Sequence, residues 1–401
     1  MNVNKFQFKQ TMRNLQKRLF YAGIIIISIF EIMNVYFIMP MPGSQEINSI
    51  DIAYFLHTNR LYFRLFAALL IAAGSIPVFK DKPGVLPVLS LIAAIVVIYI
   101  FNFQMNAESM FKQPENLILK PKDENRVSEN SLVICVENKG QIKAYPVRYL
   151  SYHHQVQDSI GNLSVIITYC NVCRTGRVFI PVVSGKTEKF RLVGMDHYNA
   201  MFEDATTKSW WRQATGEAVA GPMKGEDLEI VGSTQITVRK LFELYPHALV
   251  MQADEDAEDI YDMSDDFEQG KSKSRLIRTD SISWGKKSWV IGVQVGSDSK
   301  VFDWNYLKKQ RIINDKIGKT PVTIALSADK QSFTAFERPA DSIYFSIQND
   351  TLFAGGSTYD FSGKGLGKYT PELKRIYAYQ EFWHSWNTFH PESVVSGTPG
   401  N

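Results

Sequence analysis

Two of the chain's three cysteines stand two residues apart in the stretch YCNVCRTG, as Cys170 and Cys173, with Arg174 and Thr175 directly behind them. A Cys-x-x-Cys pair can carry electrons, hold a metal ion or close a small disulfide, and its setting discriminates among these uses. In thioredoxin-like proteins the first cysteine opens a helix, whose dipole lowers its pKa. Here RVFIPVV follows, rich in β-branched residues and running past a proline, so the pair belongs to a strand-turn-strand knuckle. Such a turn can aim two sulfurs at one metal ion, although zinc-ribbon and rubredoxin-like proteins usually supply a second knuckle and this sequence has none. Arg174 stands where covalent haem attachment needs histidine, so haem c is not expected.

A metal would need further donors, and His153 or His154 of YHH is the first choice, with Cys135 the second. Two thiolates and an imidazole suit zinc or copper, and outside the cytoplasm copper(I) fits because thiolates are soft ligands. Arg174 and Arg177 are expected to lower the thiol pKa values, which helps metal binding and thiol exchange alike. In an exchange protein Cys170 and Cys173 would cycle, with Cys135 as a candidate resolving thiol. Cys135 also reads as a small buried hydrophobe in an apolar strand. Three readings therefore stay open: a soft-metal site, a thiol-disulfide redox protein, and a binding or scaffold module with a static disulfide. Whether the chain is an enzyme is left open with them.

Weaker signals surround the pair. The stretch EDATTKSWWRQATGEAVAGP is rich in polar groups around Trp210 and Trp211, which read as packing, while Glu203, Asp204, Ser209, Arg212 and Gln213 are candidates to line a polar pocket. SGKGLGK lacks the spacing and terminal Ser or Thr of a phosphate loop, and no Gly-x-Ser-x-Gly elbow is present.

Those residues sit in the second part of a sharply divided chain of 401 residues. Runs beginning at Leu19, Leu61 and Val85 each approach the roughly 20 apolar residues that cross a bilayer, so three membrane helices are expected over 19–104. Lys5, Lys9, Arg13, Lys17 and Arg18 before the first helix, with Lys80 and Lys82 between the second and third, favour a cytoplasmic N-terminus over 1–18; Arg60 and Arg64 argue weakly the other way. The expected location is the cell (inner) membrane, with the body and all its cysteines outside the cytoplasm, where thiols can be oxidised. Glu31 and Asn34 share a face near the outer end of the first helix, as a functional intramembrane carboxylate would or as a side chain reaching the headgroups. The net charge of +3 points to no nucleic acid, and the sequence names no protein or small-molecule partner.

After a polar tether at 105–130 comes an internal repeat. Without a gap, Ser131, Val133, Ile134, Val136, Lys143, Tyr149, Leu150, Asp158, Ile160, Gly161, Val165 and Ile167 recur as Ser288, Val290, Ile291, Val293, Lys300, Tyr306, Leu307, Asp315, Ile317, Gly318, Val322 and Ile324. Composition alone gives about one match in sixteen. The reading is a mainly β (α+β) body of two related lobes, 131–253 and 288–396, joined by a charged connector at 254–287 and packed about a pseudo-twofold axis. The connector's acids lack the turn glycine of a helix-loop-helix calcium site. The copies differ where chemistry is expected: Cys170, Cys173, His153, His154 and Cys135 align with Ser327, Lys330, Gln310, Arg311 and Gly292. Lobe one is expected to carry the function, and lobe two to be degenerate.

KAYPVRYLSYHHQVQDSIGNLSVIITYCNVCRTG, with TTKSWWRQATGEAVAGPMKGEDLEIV after it, resembles a prokaryotic family known only as domain of unknown function thirty-one seventy-nine. Ala144, Tyr145, Pro146, His153, Asp158, Tyr169, Cys170, Cys173, Thr175, Ser209, Trp211 and Gln213 fall on its pattern, over nearly all of 115–396 but not the membrane helices. Asn171 replaces the usual proline and Arg174 a small residue, which implies a less rigid turn. The resemblance brings no activity. It implies His153 rather than His154 as the partner of the cysteines; Tyr169, Arg174, Thr175, Ser209, Trp211 and Gln213 are the candidate pocket residues read from this sequence.

Overall fold

The computed structural model describes residues 2–80, 84–254, 257, 260–261 and 265–396. Lys82 and the acids Glu255, Asp256, Glu258, Asp259 and Asp262 of the connector lie outside the described residues. The N-terminal region holds α1 (Asn2–Tyr36), α2 (Ile50–Thr58), α3 (Arg60–Lys80) and α4 (Val85–Tyr99), the last continuing through a π-helical turn to Gln104. Three spans, Phe6–Tyr36, Arg60–Lys80 and Val85–Gln104, are long and apolar enough to cross a membrane. Helices in lipid gain little from burying more hydrocarbon, so they associate where small residues let their backbones touch. Gly74 does this: a Cβ there would lie 2.4 Å from the carbonyl oxygen of Gln16 on α1.

The ends of these helices nearest the body are held by a polar clamp. Arg64 donates from Nε and Nη2 to the two carboxylate oxygens of Glu31, at 2.7 and 2.9 Å, and from Nη2 to Asn102 Oδ1 at 2.6 Å. Asn102 Nδ2 returns a bond to Glu31 at 2.9 Å. Glu31 therefore neither reaches outward nor stands alone, because one guanidinium answers both its oxygens. The short helix α2 does not cross. Its Ala53 is buried among Val193, Met201 and Trp210 of the body, and Tyr54 meets Trp210 edge-on. Met195 N donates to Ile38 O at 2.7 Å, so the segment leaving α1 is hydrogen-bonded to the body as well.

Behind the helices lies a sheet-rich body. In one sheet the strands run Leu119–Lys120, Leu249–Met251, Gln141–Pro146, Leu132–Asn138, Ser233–Thr237. The stretch 105–130 is thus built into the body, its Leu119 pairing with Met251 and its Val127 buried in the core, and is no free tether. The last four of those strands recur in the same order as Val394–Ser396, Asp298–Asp303, Trp289–Val295, Ala378–Phe382. Each set is accompanied by a three-stranded antiparallel sheet, Gln155–Ile160, Leu163–Cys170, Thr175–Phe179 in one and Ile312–Ile317, Thr320–Leu326, Phe333–Glu337 in the other. What both copies share is structural: Lys143 pairs with Asp158 at 2.8 Å, and Lys300 with Asp315 at 2.8 Å.

The lobes cap one another. The strand Ser233–Thr237 of the first copy packs against Phe333–Glu337 of the second, and Ala378–Phe382 of the second packs against Thr175–Phe179 of the first. This reciprocity is what a two-fold relation requires. At the second contact Glu381 is fully buried. Its Oε1 accepts from Arg177 Nη2 and from Thr175 Oγ1 (2.9 Å), and its Oε2 from Ser385 Oγ (2.9 Å). Removing one partner of a buried ion pair strands the other charge, at a cost of about 3–5 kcal/mol. Glu381→Ala is therefore expected to lower stability by about that amount. An unchanged unfolding midpoint, followed by tryptophan fluorescence of the full chain in detergent, would show that the lobes do not depend on this carboxylate.

Candidate functional site: a buried cysteine pair between the lobes

The knuckle is a hairpin. Strand Leu163–Cys170 pairs antiparallel with Thr175–Phe179, Cys170 opposite Thr175, and Arg174 takes the left-handed conformation (φ 55°) that turns the chain back. The Asn171 amide donates to Ser151 O at 3.4 Å, so the position where the family pattern has proline is tied by a side chain. Both cysteine side chains are fully buried, with their sulfurs 3.5 Å (Cys170) and 3.3 Å (Cys173) from the Tyr198 carbonyl oxygen. All three cysteines are free thiols.

The two thiols are unequal. Burial opposes ionisation of Cys170, but the hydrogen bond from Cys173, backbone N–H groups of Ala200 and Cys173, and the Lys287 ammonium together bring it below its ordinary pKa. Cys173 is pushed far up, by burial first and then by the hydrogen bond it donates to Cys170 and by repulsion from that charge. Arg174 and Arg177 do not do this work. Arg174 is turned away to Gln380, Phe267 O and Glu268 O, with its guanidinium 3.6 Å over the Trp289 ring, and Arg177 is spent on Glu381.

The cation is Lys287, from the segment leading into lobe two. Its Nζ donates to Val172 O (2.6 Å), inside the knuckle, and to His384 Nε2 (3.0 Å). Burial lowers its pKa to about 8, against the pull of both cysteines. His384 is neutral, its pKa brought down to about 3 by burial and then by Lys287. Phe382 N donates to Cys173 O at 2.9 Å. Tyr198, Lys287 and His384 face a cleft of about 710 Å³, rimmed also by Arg275, Arg278 and Lys286.

His153 and His154 are occupied elsewhere. His153 Nδ1 donates to Lys112 O and its Nε2 accepts from Tyr261 Oη, both at 2.5 Å, so the ring clamps the incoming segment to the connector. His154 caps its helix at φ 60° and donates from Nδ1 to Tyr169 O (2.9 Å). Its counterpart Arg311 sits at φ 62° and donates to Leu326 O, which aligns with Tyr169, so this position serves the fold in both copies. Among the described residues no group of three or more His, Cys, Asp or Glu is arranged to hold a metal ion. The expected ligand set of Cys170, Cys173 and a histidine is not brought together. Cys135 lies in a different hydrophobic cluster from the pair, and burial raises its pKa to about 12.

Residues 115–393 match the model of the family described as "Protein of unknown function (DUF3179)". The chain belongs to this family. No curated protein and no solved structure matches it. The family's span takes in the knuckle, Lys287 and His384, and leaves the membrane helices outside.

Within the family domain the remaining pattern residues build structure around the thiols. Tyr145 Oη donates to Asp158 Oδ2 (2.7 Å), beside Lys143. Gln213 bridges the two knuckle strands from inside, donating to Thr168 Oγ1 (3.1 Å) and Thr175 O (3.0 Å), and accepts from Asn199 (2.9 Å). The Ser209 N–H and Trp211 Nε1 both donate to Asp204 Oδ2, at 3.1 and 3.0 Å. Tyr169 is buried edge-on to Phe267. None of Tyr169, Arg174, Thr175, Ser209, Trp211 or Gln213 lines the cleft. Lys287 and His384, which do line it and bond Val172 O of the knuckle, come from the end of the connector and from lobe two, whereas the differences between the two copies point to lobe one. Their signal lay in WGKKSW and EFWHSW, where a lysine and a histidine stand among aromatic residues.

Because Lys287 supplies the positive charge, Lys287→Met is expected to raise the Cys170 pKa and shift its alkylation profile to higher pH. The wild-type advantage is greatest while Lys287 is protonated and fades as pH rises through about 8. Rates of iodoacetamide labelling at Cys170, read by peptide mass spectrometry across pH, check this. Superimposed profiles would remove Lys287 from the site.

Proposed function

We propose that this chain is a membrane-anchored thiol-disulfide protein in which Cys170 and Cys173 cycle between dithiol and disulfide. The observation that carries the reading is the buried pair itself: both sulfurs face the Tyr198 carbonyl beside the half-buried Lys287, the Cys170 thiol lowered and the Cys173 thiol raised, and among the described residues no group of three His, Cys, Asp or Glu is set to hold a metal ion. A low-pKa thiolate attacks, and a higher-pKa neighbour resolves. The Cys170 thiolate attacks one sulfur of a partner disulfide, breaking that bond, forming a mixed disulfide and releasing the partner's other sulfur as thiolate. Cys173 then gives up its proton and attacks Cys170, releasing the partner's second thiolate. The partner gains two electrons, and the pair loses two. With both side chains buried, the reacting sulfur arrives when the Tyr198 and His384 wall of the cleft opens.

The location follows the charges flanking the helices. Lys9, Arg13, Lys17 and Arg18 mark the end of the bundle away from the body, which this reading places in the cytoplasm. Arg64, which argued the other way, is paired with Glu31. The body then lies outside the cytoplasm, where a protein disulfide persists.

The test is a redox titration of the full chain in detergent with thiol counting, beside elemental analysis. Oxidation is expected to remove two thiols and leave Cys135, at a defined two-electron potential. Cys173→Ser is expected to trap a mixed disulfide on Cys170, and Cys170→Ser to trap none. Near-stoichiometric copper or zinc, lost in Cys170→Ser, would replace this reading with two-thiolate metal binding. A change in stability alone would leave a static clip.

A further inference from the structure

A second site lies where the membrane helices meet the body, apart from the thiols. A polar pocket of about 530 Å³ is lined by Asn34 of α1, His57 of α2, Arg60 and Arg64 of α3, and Arg191 and Lys208 of the body, with Glu108 and Glu203. An apolar groove of about 520 Å³ runs between α1, α3 and α4, past Ile27, Ala68, Ile71, Leu91, Ile95 and Ile98. Arg64 and Asn102 line both. The two spaces therefore adjoin across Arg64 and Asn102 at the end of the bundle nearest the body, one greasy between the helices and the other cationic beside it, and we treat them together as one compartment.

The charges there are unevenly spent. Arg191 is satisfied by Glu203 (2.8 Å) and Glu108 (3.0 Å), and Arg64 by Glu31. His57 is neutral, its pKa lowered to about 3 by burial and then by Arg60, Arg191 and Arg64. Among the described residues Arg60 bonds only the carbonyl oxygen of His57, and neither Arg60 nor Lys208 forms an ion pair. Asn34 is 8 % exposed, and its Oδ1 has no hydrogen-bond partner among the described residues. A buried acceptor left unpaired is costly, so its place in the pocket wall calls for a donor from a ligand.

We propose that this compartment holds an anionic phospholipid with a hydroxylated headgroup, of which phosphatidylglycerol is the simplest. An acyl chain lies in the groove between α1, α3 and α4. The phosphate sits with Arg60 and Lys208, and a headgroup hydroxyl donates to Asn34 Oδ1. Basic pockets beside membrane helices favour such lipids because each cation near the headgroup adds to the attraction. A zwitterionic lipid would bring a second ammonium among these cations, and a free phosphate would leave the groove unused.

Native mass spectrometry of the full chain in detergent tests this, using phosphatidylglycerol and phosphatidylcholine with matched acyl chains. Wild type is expected to retain phosphatidylglycerol preferentially. Arg60→Gln with Lys208→Gln is expected to weaken that retention by about 25-fold, from roughly five-fold per charge removed. Asn34→Asp, nearly isosteric but repelling a phosphate, is expected to weaken it also, with elution volume and free-thiol count unchanged. Equal retention of the two lipids by wild type, or unaltered retention by both variants, would overturn the proposal. Displacement of the lipid by inorganic phosphate alone would overturn it in favour of a soluble phosphate ligand.

Discussion

The carboxylate of Glu381 is the constraint on which the rest of the body turns. A charge carried by lobe two is buried against lobe one and answered there by Arg177 and Thr175 from the strand that leaves the cysteine knuckle. A carboxylate placed so deeply is tolerated only when its lone pairs are filled, so the lobes cannot slide or part without exposing an uncompensated ion. The residues beside it in sequence are thereby fixed against the knuckle as well: Gln380 on Arg174 and Phe382 N on Cys173 O. The thiols owe their asymmetric surroundings to this docking.

Duplication explains both what is repeated and what is not. The Lys143–Asp158 and Lys300–Asp315 pairs, and the left-handed caps His154 and Arg311, hold the same joints in each copy. The divergence at Cys135 and Gly292 has a packing cause. A Cβ at Gly292 would lie 2.0 Å from the Trp386 ring, so the larger side chain on that helix demands a bare backbone beneath it. The first copy has Leu241 at the equivalent point of its helix, and a cysteine fits. Cys135 thus reads as a small side chain accommodating a neighbour, consistent with its burial and raised pKa.

The membrane helices, the strand-rich body and the hairpin at the cysteines were legible because each rests on a local signal: apolar run length, period-two alternation, β-branched residues after a turn. The repeat was legible because a gapless alignment needs no structure. The surroundings of the thiols were not. Arg174 and Arg177 stand next to the cysteines in sequence, but Arg174 turns at the bend of the hairpin to Phe267, Glu268 and Gln380, and Arg177 is committed to Glu381 of lobe two. Lys287 and His384 lie more than a hundred residues away along the chain and arrive only through the docking of the lobes. The same holds for His153, whose ring partners Lys112 and Tyr261 come from segments that carry no pattern of their own.

The membrane anchor is continuous with this site. Val35 and Met39, from the end of α1 and the segment after it, belong to the same hydrophobic cluster as Cys170 and Cys173. Gln45 accepts from the Tyr198 N–H at 3.1 Å, beside the carbonyl that both sulfurs face. The same Val35 and Met39 line the pocket at the membrane junction. The end of α1 nearest the body therefore packs on one side against the junction pocket and on the other within the cluster that holds the thiols. The anchor is a wall of the cysteine site as well as a tether for it.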